Sequence, residues 1–165
     1  MTEPVSFDPL RLLEALDRHV VRYVVVGGIA GRLLGSPTVT RDLDICYARD
    51  GANLSALAAT LVELHAQLRD APAGPPFRLD ARTLRAGDSF TFVTDAGDFD
   101  ILGTPTGTSG FADLARTAVA TDLGGLVVLV ASVDDLIRMK RAAGRPKDLI
   151  EVEVLGALRD EIDQT

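Results

Sequence analysis

Two aspartates, Asp42 and Asp44, are the residues of this sequence whose type and spacing most clearly indicate chemistry. They alternate with Leu43 and Ile45, as expected for a strand whose other face is buried. Both carboxylates then point to the same face, with their Cα atoms about 6.6 Å apart. Two carboxylates on one face repel each other unless a cation lies between them. Such oxygen ligands suit Mg²⁺, which commonly binds one or two carboxylates together with substrate phosphates.

A glycine pair, Gly27-Gly28, precedes these aspartates and indicates a phosphate site. It follows the apolar run 23–26, which predicts a buried strand, and it opens a segment with helical spacing that reaches Leu34. Glycines between a strand and a helix let the backbone approach a ligand closely, and the free amides at a helix start favour an anion. A phosphate-binding turn followed by a metal-binding strand describes a nucleoside triphosphate site.

These motifs resemble a known signature. Gly27-Gly28 followed by Thr40-Arg41-Asp42-Leu43-Asp44-Ile45 is similar to the Gly-Gly or Gly-Ser turn, helix and Asp-x-Asp strand of the DNA polymerase β-like nucleotidyltransferase superfamily. The most similar branch contains minimal nucleotidyltransferases, including toxins of abortive-infection type toxin–antitoxin pairs. The resemblance implies a mixed α/β nucleotidyltransferase fold, in which helices pack on a twisted mixed sheet. It also implies Mg²⁺ or Mn²⁺ as cofactor and an NTP such as ATP as substrate.

Polymerase-type transfer usually needs a third carboxylate, which can bind a second metal ion and take the proton of the attacking hydroxyl. Asp100 is our choice, because the segment 100–102 resembles the Asp-apolar-apolar third motif of the family. Asp98 shares its face of the predicted strand and is the alternate. We therefore predict that Asp42, Asp44 and Asp100 are the catalytic and metal-binding residues.

A second candidate region lies between two predicted helices near the C-terminus, and it resembles the Lys-(several)-Arg/Lys-Asp motif of the toxin branch. Lys140 or Lys147 would contact the triphosphate or the charge that develops in the transition state. Asp148 would orient one of these bases. A solvated helix junction is the alternative interpretation of the same residues. Nearer the glycine turn, Arg32 and Thr40 are assigned to nucleotide binding.

The composition limits the class of protein. A length of 165 residues predicts one domain over residues 1–165. The net charge of −7 argues against broad nucleic-acid binding, which needs a basic face. The single cysteine, Cys46, excludes a cysteine-based zinc site. No apolar run is long enough for a membrane span, and residues 1–7 lack the features of a signal peptide, so we expect a cytoplasmic protein without a membrane partner.

The remaining patterns predict the elements that position these residues. Helical patterns begin at Asp8-Pro9, Gly51, Phe111, Ser132 and Pro146. The second has an apolar stripe from Leu54 to Leu68, and the last has a core stripe of Leu149, Val152, Leu155, Leu158 and Ile162. Strands are predicted at 89–93 and 98–102, joined as a hairpin, and at 126–130. Residues 71–76 and 103–110 are predicted loops, and 77–87 is either a short strand with a helical turn or an excursion.

The predicted reaction is attack of an acceptor hydroxyl on the α-phosphorus of an NTP. The acceptor is a protein side chain, a tRNA end or a small molecule, and the toxin branch would add an antitoxin partner. Two other interpretations stay open: an inactive relative that serves as a binding or regulatory module, and a nucleotide-sugar glycosyltransferase, which also uses Asp-x-Asp. The glycine turn before the aspartates is not part of glycosyltransferase chemistry.

Overall fold

The computed structural model describes residues 5–71 and 77–164, which form one mixed sheet with helices around it. The helices are α1 (Pro9–Arg18), α2 (Gly27–Leu33), α3 (Gly51–Glu63), α4 (Ala81–Ala86), α5 (Phe111–Ala115), α6 (Val133–Ala143) and α7 (Pro146–Asp163). The strands are β1 (Tyr23–Val26), β2 (Asp42–Tyr47), β3 (Gln67–Leu68), β4 (Ser89–Thr94), β5 (Gly97–Leu102), β6 (Val119–Asp122) and β7 (Val127–Val130).

Within the described residues the sheet has seven strands in the order β3-β4-β5-β2-β1-β7-β6, so β2 lies at its centre with β5 and β1 on either side. Strand β2 pairs antiparallel with β1 and parallel with β5. Strands β4 and β5 form the predicted antiparallel hairpin, and β7 runs parallel to β1. This mixed sheet confirms the fold class expected from the sequence.

Alternation along the central strands sorts apolar from acidic side chains. Leu43 and Ile45 on β2, and Phe99 and Ile101 on β5, are fully buried in the core. The aspartates between them face the opposite side of the sheet, because successive side chains of a strand alternate. The burial of the apolar face therefore determines the register that turns the acidic face outward.

The helices begin where the sequence provides caps. The side chains of Asp8, Asp50, Asp80 and Ser132 each accept a hydrogen bond from a backbone amide in the first turn of α1, α3, α4 and α6. At its other end α6 stops at Gly144, whose φ of 68° is left-handed. Among the described residues, no helix has the length and apolar character needed to cross a bilayer.

The structure corrects the predicted extent of the long helix α3. Helix α3 ends at Glu63, and His65 has a left-handed φ of 52°. Leu68 belongs to the two-residue strand β3, where it pairs with Phe92 of β4. The apolar spacing continues past the end of the helix because Leu68 packs against the core from strand β3 and not from the helix. The predicted loop 71–76 lies outside the described residues except for Ala71, and the open segment 77–87 contains helix α4.

Two further predictions near the C-terminus were wrong in part. Strand β6 was missed because it is a mostly exposed edge strand, and β7 starts at Val127, one residue after the predicted start. Leu149 and Ile162 were placed in the core stripe of α7 but are 52% and 42% exposed. Helix α7 packs on α6. Leu155 and Leu158 of its stripe are buried in the main core, and partly buried Val152 packs against that core.

Candidate active site

The acidic face of β2 and β5 brings the predicted carboxylates together. The parallel register pairs Asp42 with Asp98 and Asp44 with Asp100, so all four side chains share one face of the sheet. One carboxylate oxygen from each of Asp42, Asp44 and Asp100 lies within 4.8 Å of the others. We call these three residues the acidic triad. Asp98 lies outside it, so the geometry favours Asp100 over Asp98 as the third carboxylate.

Asp44 is the most constrained member of the acidic triad. Burial, reinforced by the negative charges of Asp42 and Asp100, raises the pKa of Asp44 to about 8, while Lys140 opposes the shift. Its Oδ1 atom is buried and has no hydrogen-bond partner within residues 5–71 and 77–164. An orphaned carboxylate oxygen beside two other carboxylates fits a hard cation, and three oxygen donors of this kind suit Mg²⁺.

The glycine turn lies directly against the triad. Gly27 has a left-handed φ of 69°, and a Cβ atom at this position would overlap the Asp44 carboxylate. A Cβ at Gly28 would lie 2.7 Å from the Cβ of Thr40, whose hydroxyl donates to Asp42 Oδ1 at 3.0 Å. Both glycines are thus required by the packing of the loop and strand that carry the acidic residues. The sequence analysis predicted that the backbone at these glycines closely approaches a ligand. The structure shows that it also closely approaches the side chains of Asp44 and Thr40.

A cavity of about 670 Å³ opens between the acidic face and helices α6 and α7. Its lining contains nine of the ten residues predicted for the site: Gly27, Gly28, Thr40, Asp42, Asp44, Asp100, Lys140, Lys147 and Asp148. Arg32 is not part of this lining. Its side chain is exposed, and its guanidinium donates to the Thr38 carbonyl at 3.3 Å.

One wall of the cavity, which we call the basic wall, carries Lys140, Arg145 and Lys147. A buried acid holds two of these side chains in place. Asp148 is fully buried and accepts hydrogen bonds from the backbone amide and guanidinium of Arg145. Lys140 Nζ lies 3.4 Å from Asp148 Oδ1. The Arg145 guanidinium, assisted by Lys140, lowers the pKa of Asp148 to about 2, so this carboxylate is ionised at neutral pH. Asp148 therefore fixes Lys140 on the wall opposite the acidic triad.

Comparison with solved structures identifies the fold that this arrangement belongs to. The lincosamide antibiotic adenylyltransferase LnuA, with lincomycin bound, superposes with a TM-score of 0.61 at 14% identity over 91% of this chain and 95% of its own. The antibiotic-resistance factor ANT(2″)-Ia in solution gives a TM-score of 0.54 at 16% identity, over 94% of this chain and 89% of its own. Its complex with adenylyl-2″-tobramycin gives 0.52 at 18% identity, over 93% and 96%.

This chain has the nucleotidyltransferase fold. The fold prediction is confirmed, whereas at these identities the likeness extends to the fold alone. No protein-family model matches the chain, and no curated protein matches it either.

Within this nucleotidyltransferase fold, the sequence failed to predict one charged residue beside the triad. Arg69 follows β3, and its guanidinium donates to Asp100 Oδ1 at 2.8 Å and to the Phe92 carbonyl at 3.0 Å. Its Nε lies 3.6 Å from Asp98 Oδ2. No local sequence pattern predicts this contact. The apolar helical spacing that predicts α3 continues as far as Leu68, so the short strand β3 is not recognisable from the sequence. Pairing of β3 with β4 is what brings Arg69 to the acidic face.

Proposed function

We propose that this protein is a metal-dependent nucleotidyltransferase that moves an NMP from an NTP to an acceptor hydroxyl. The observation that carries the proposal is the acidic triad, whose ligand oxygens lie within 4.8 Å of one another on the wall of a cavity beside the glycine turn. An inactive binding module would not need three clustered carboxylates, one of which has a buried, unpartnered oxygen. The geometry therefore supports an enzyme over the inactive relative.

The donor set supports Mg²⁺ or Mn²⁺ as the cofactor. Asp42, Asp44 and Asp100 would hold the ion, which would offset the negative charge of the phosphates and of the reacting centre. This assignment explains why carboxylates that repel one another are kept together on the two central strands.

The reaction forms one bond to phosphorus and breaks another. The acceptor hydroxyl oxygen attacks the α-phosphorus of the NTP, the bond to the oxygen that bridges to the β-phosphate breaks, and pyrophosphate leaves with that electron pair. The hydroxyl proton passes to the Asp100 carboxylate, which acts as general base. The product is the acceptor esterified with an NMP.

The cavity also suggests how the nucleotide is bound. The backbone at Gly27 and Gly28, with the Thr40 hydroxyl, would contact the phosphates beside the triad. From the opposite wall Lys140 would stabilise the charge that develops on the leaving pyrophosphate, and exposed Lys147 would contact the triphosphate. We leave Arg32 out of this set because its guanidinium is bonded to the Thr38 carbonyl and its side chain does not line the cavity.

Among the acceptor classes, a small molecule is favoured. Neighbours with TM-scores above 0.5 include LnuA, named a lincosamide antibiotic adenylyltransferase, and ANT(2″)-Ia, an antibiotic-resistance factor seen with an adenylylated tobramycin. A tRNA or protein acceptor, and a toxin role with an antitoxin partner, rest only on the sequence resemblance. They are therefore outcomes that the test must be able to detect.

The test follows the fate of the α-phosphate. The protein is incubated with each of the four α-³²P-labelled NTPs and Mg²⁺, in the presence of lincomycin, tobramycin, bulk tRNA and a cell extract. We expect label in one acceptor fraction, and a loss of about 10²–10⁴-fold in Asp100→Asn, the usual contribution of a positioned base.

Calorimetry supplies the paired measurement, because Asp100→Asn should still bind the NTP through the remaining site. Asp98→Asn is the matched control, since it makes the same change on the same face of β5 outside the triad. Transfer that survives in Asp100→Asn but fails in Asp98→Asn would reverse the choice of aspartate. A wild type that binds NTP but labels no fraction would favour the inactive module.

A further inference from the structure

Arg69 is anchored between two strands beside the acidic face. Its backbone amide donates to the Thr91 carbonyl at 2.9 Å, and its guanidinium donates to the Phe92 carbonyl at 3.0 Å. The side chain is only 28% exposed. These contacts fix the guanidinium in place before any ligand binds, which a freely rotating surface arginine would not achieve.

From this position Arg69 contacts the carboxylate that the proposed reaction uses as a base. Its Nη2 donates to Asp100 Oδ1 at 2.8 Å, a charge-assisted hydrogen bond. Its Nε lies 3.6 Å from Asp98, so the same guanidinium spans both aspartates of β5. One oxygen of Asp100 is thereby held, which leaves the other for a metal ion or for the acceptor proton.

The charges around the triad explain why such a contact is needed. The register places Asp42, Asp44, Asp98 and Asp100 on one face of two adjacent strands. A free Asp100 side chain would rotate away from the carboxylates of its neighbours. Arg69 opposes that rotation from the β4 side of the sheet, whereas Lys140 lies on the cavity side.

We propose that Arg69 is a positioning residue that orients the Asp100 carboxylate for catalysis, an inference that rests on the proposed function. Arg69 is absent from the residues that line the cavity, so it acts through Asp100 and not by touching the substrate. Arginine suits this role because its planar, rigid donor group can contact the Phe92 carbonyl and the carboxylates of β5 together. Lysine offers a single flexible ammonium.

The test separates turnover from binding. Arg69→Met and Arg69→Lys are compared with wild type for transfer of label from α-³²P-ATP, or from the NTP that wild type uses, to the labelled acceptor fraction. We expect kcat of Arg69→Met to fall about 10²-fold, the usual effect of a misplaced catalytic group, with little change in the KM for the NTP. Arg69→Lys, which keeps the charge, should recover part of that loss.

A double variant tests whether Arg69 acts through Asp100. If it does, Arg69→Met combined with Asp100→Asn should transfer no more slowly than Asp100→Asn alone. Arg18→Met is the matched control, because Arg18 forms an exposed ion pair with Glu63 remote in sequence from the triad. Thermal melting checks that every variant is folded. If Arg69→Met is not folded, Arg69→Lys takes its place in the measurement of transfer and in the double variant.

Three outcomes overturn the proposal. Wild-type kcat in Arg69→Met would show that Asp100 needs no such support. Losses that multiply in the double variant would show that Arg69 acts independently of Asp100. A wild type that transfers no nucleotide to any fraction would instead remove the proposed function, and this inference with it.

Discussion

At the scale of single residues, Asp44 is the carboxylate whose ionisation the surroundings disfavour most clearly. Its carboxylate is largely buried, carries an orphaned oxygen and has two carboxylate neighbours. Ionisation there is costly without a cation, since burial and like charges both disfavour the charged form. A bound metal ion should therefore stabilise the folded protein through this residue in particular.

Thermal melting tests this expectation. Mg²⁺ with ATP at about one hundred times its Kd should stabilise wild type by about 2.7 kcal/mol, which corresponds to about 5–11 °C in Tm for a domain of this size. Asp44→Asn should abolish that shift. Without metal its Tm should be no lower than that of wild type, because asparagine replaces a carboxyl group whose charged form is disfavoured by burial and by its two carboxylate neighbours. Asp98→Asn is the control and should keep the shift. A full shift in Asp44→Asn would exclude Asp44 from the metal site.

At the scale of elements, the junction of α6 and α7 is largely encoded by local sequence. Gly144 ends α6 in a left-handed conformation, and Pro146 begins α7 at a position where its missing amide hydrogen is not needed. The Asp148 carboxylate then caps α7 by accepting hydrogen bonds from the backbone amide and the guanidinium of Arg145. This cap also fixes Lys140, so helix capping and the basic wall of the cavity depend on one carboxylate.

The pKa of Asp148 gives a prediction for stability against pH. Its folded-state value of about 2 lies below the ordinary 3.8, so its contribution to the free energy of unfolding is present above about pH 4 and is lost as the pH falls towards 2. Asp148→Asn should lower Tm by several degrees near neutral pH, and the difference from wild type should shrink across that acidic range.

Asp134→Asn is the matched control for this prediction. Asp134 lies on α6 and pairs with Arg159 of α7, so it also joins these two helices, but its side chain is 72% exposed. An exposed ion pair contributes little to stability, so its Tm should follow wild type at every pH. A Tm difference for Asp148→Asn that stays constant from neutral to acid pH would mean that ionisation of Asp148 does not stabilise the junction.

At the scale of the whole molecule, charge is distributed very unevenly. The chain carries 24 acidic and 17 basic residues, yet five of the basic residues fall between Arg138 and Lys147. Three of these five, Lys140, Arg145 and Lys147, line the cavity, so the positive wall that they form is local and faces the acidic triad. Such an arrangement suits a small phosphorylated ligand and does not provide the extended basic surface that a nucleic-acid backbone requires.

We therefore predict no binding of random-sequence duplex DNA at about 0.15 M salt. A gel-shift titration should show free DNA at protein concentrations at which ATP with Mg²⁺ already raises Tm. The Tm shift is the control that the protein is folded and its site intact. Retardation of DNA that weakens steeply with added salt would contradict the prediction and reopen a nucleic-acid acceptor.

The sequence by itself determined the local parts of this protein. The alternation of Asp42-Leu43-Asp44-Ile45, the glycine pair and the helix caps predicted the central elements, because these signals depend on side-chain period and backbone conformation within a few residues. The face that carries Asp42 and Asp44 followed from the same alternation.

Only the tertiary structure decided which distant residues meet. The parallel register of β2 and β5 pairs Asp98 with Asp42 and Asp100 with Asp44, and of these two aspartates of β5 it is Asp100 whose carboxylate oxygen lies within 4.8 Å of both Asp42 and Asp44. The pairing of β3 with β4 brought Arg69 to Asp100, and the packing of α7 on α6 left Leu149 exposed. Strand register and helix docking depend on burial summed over many remote residues, and no local pattern in the sequence records that sum.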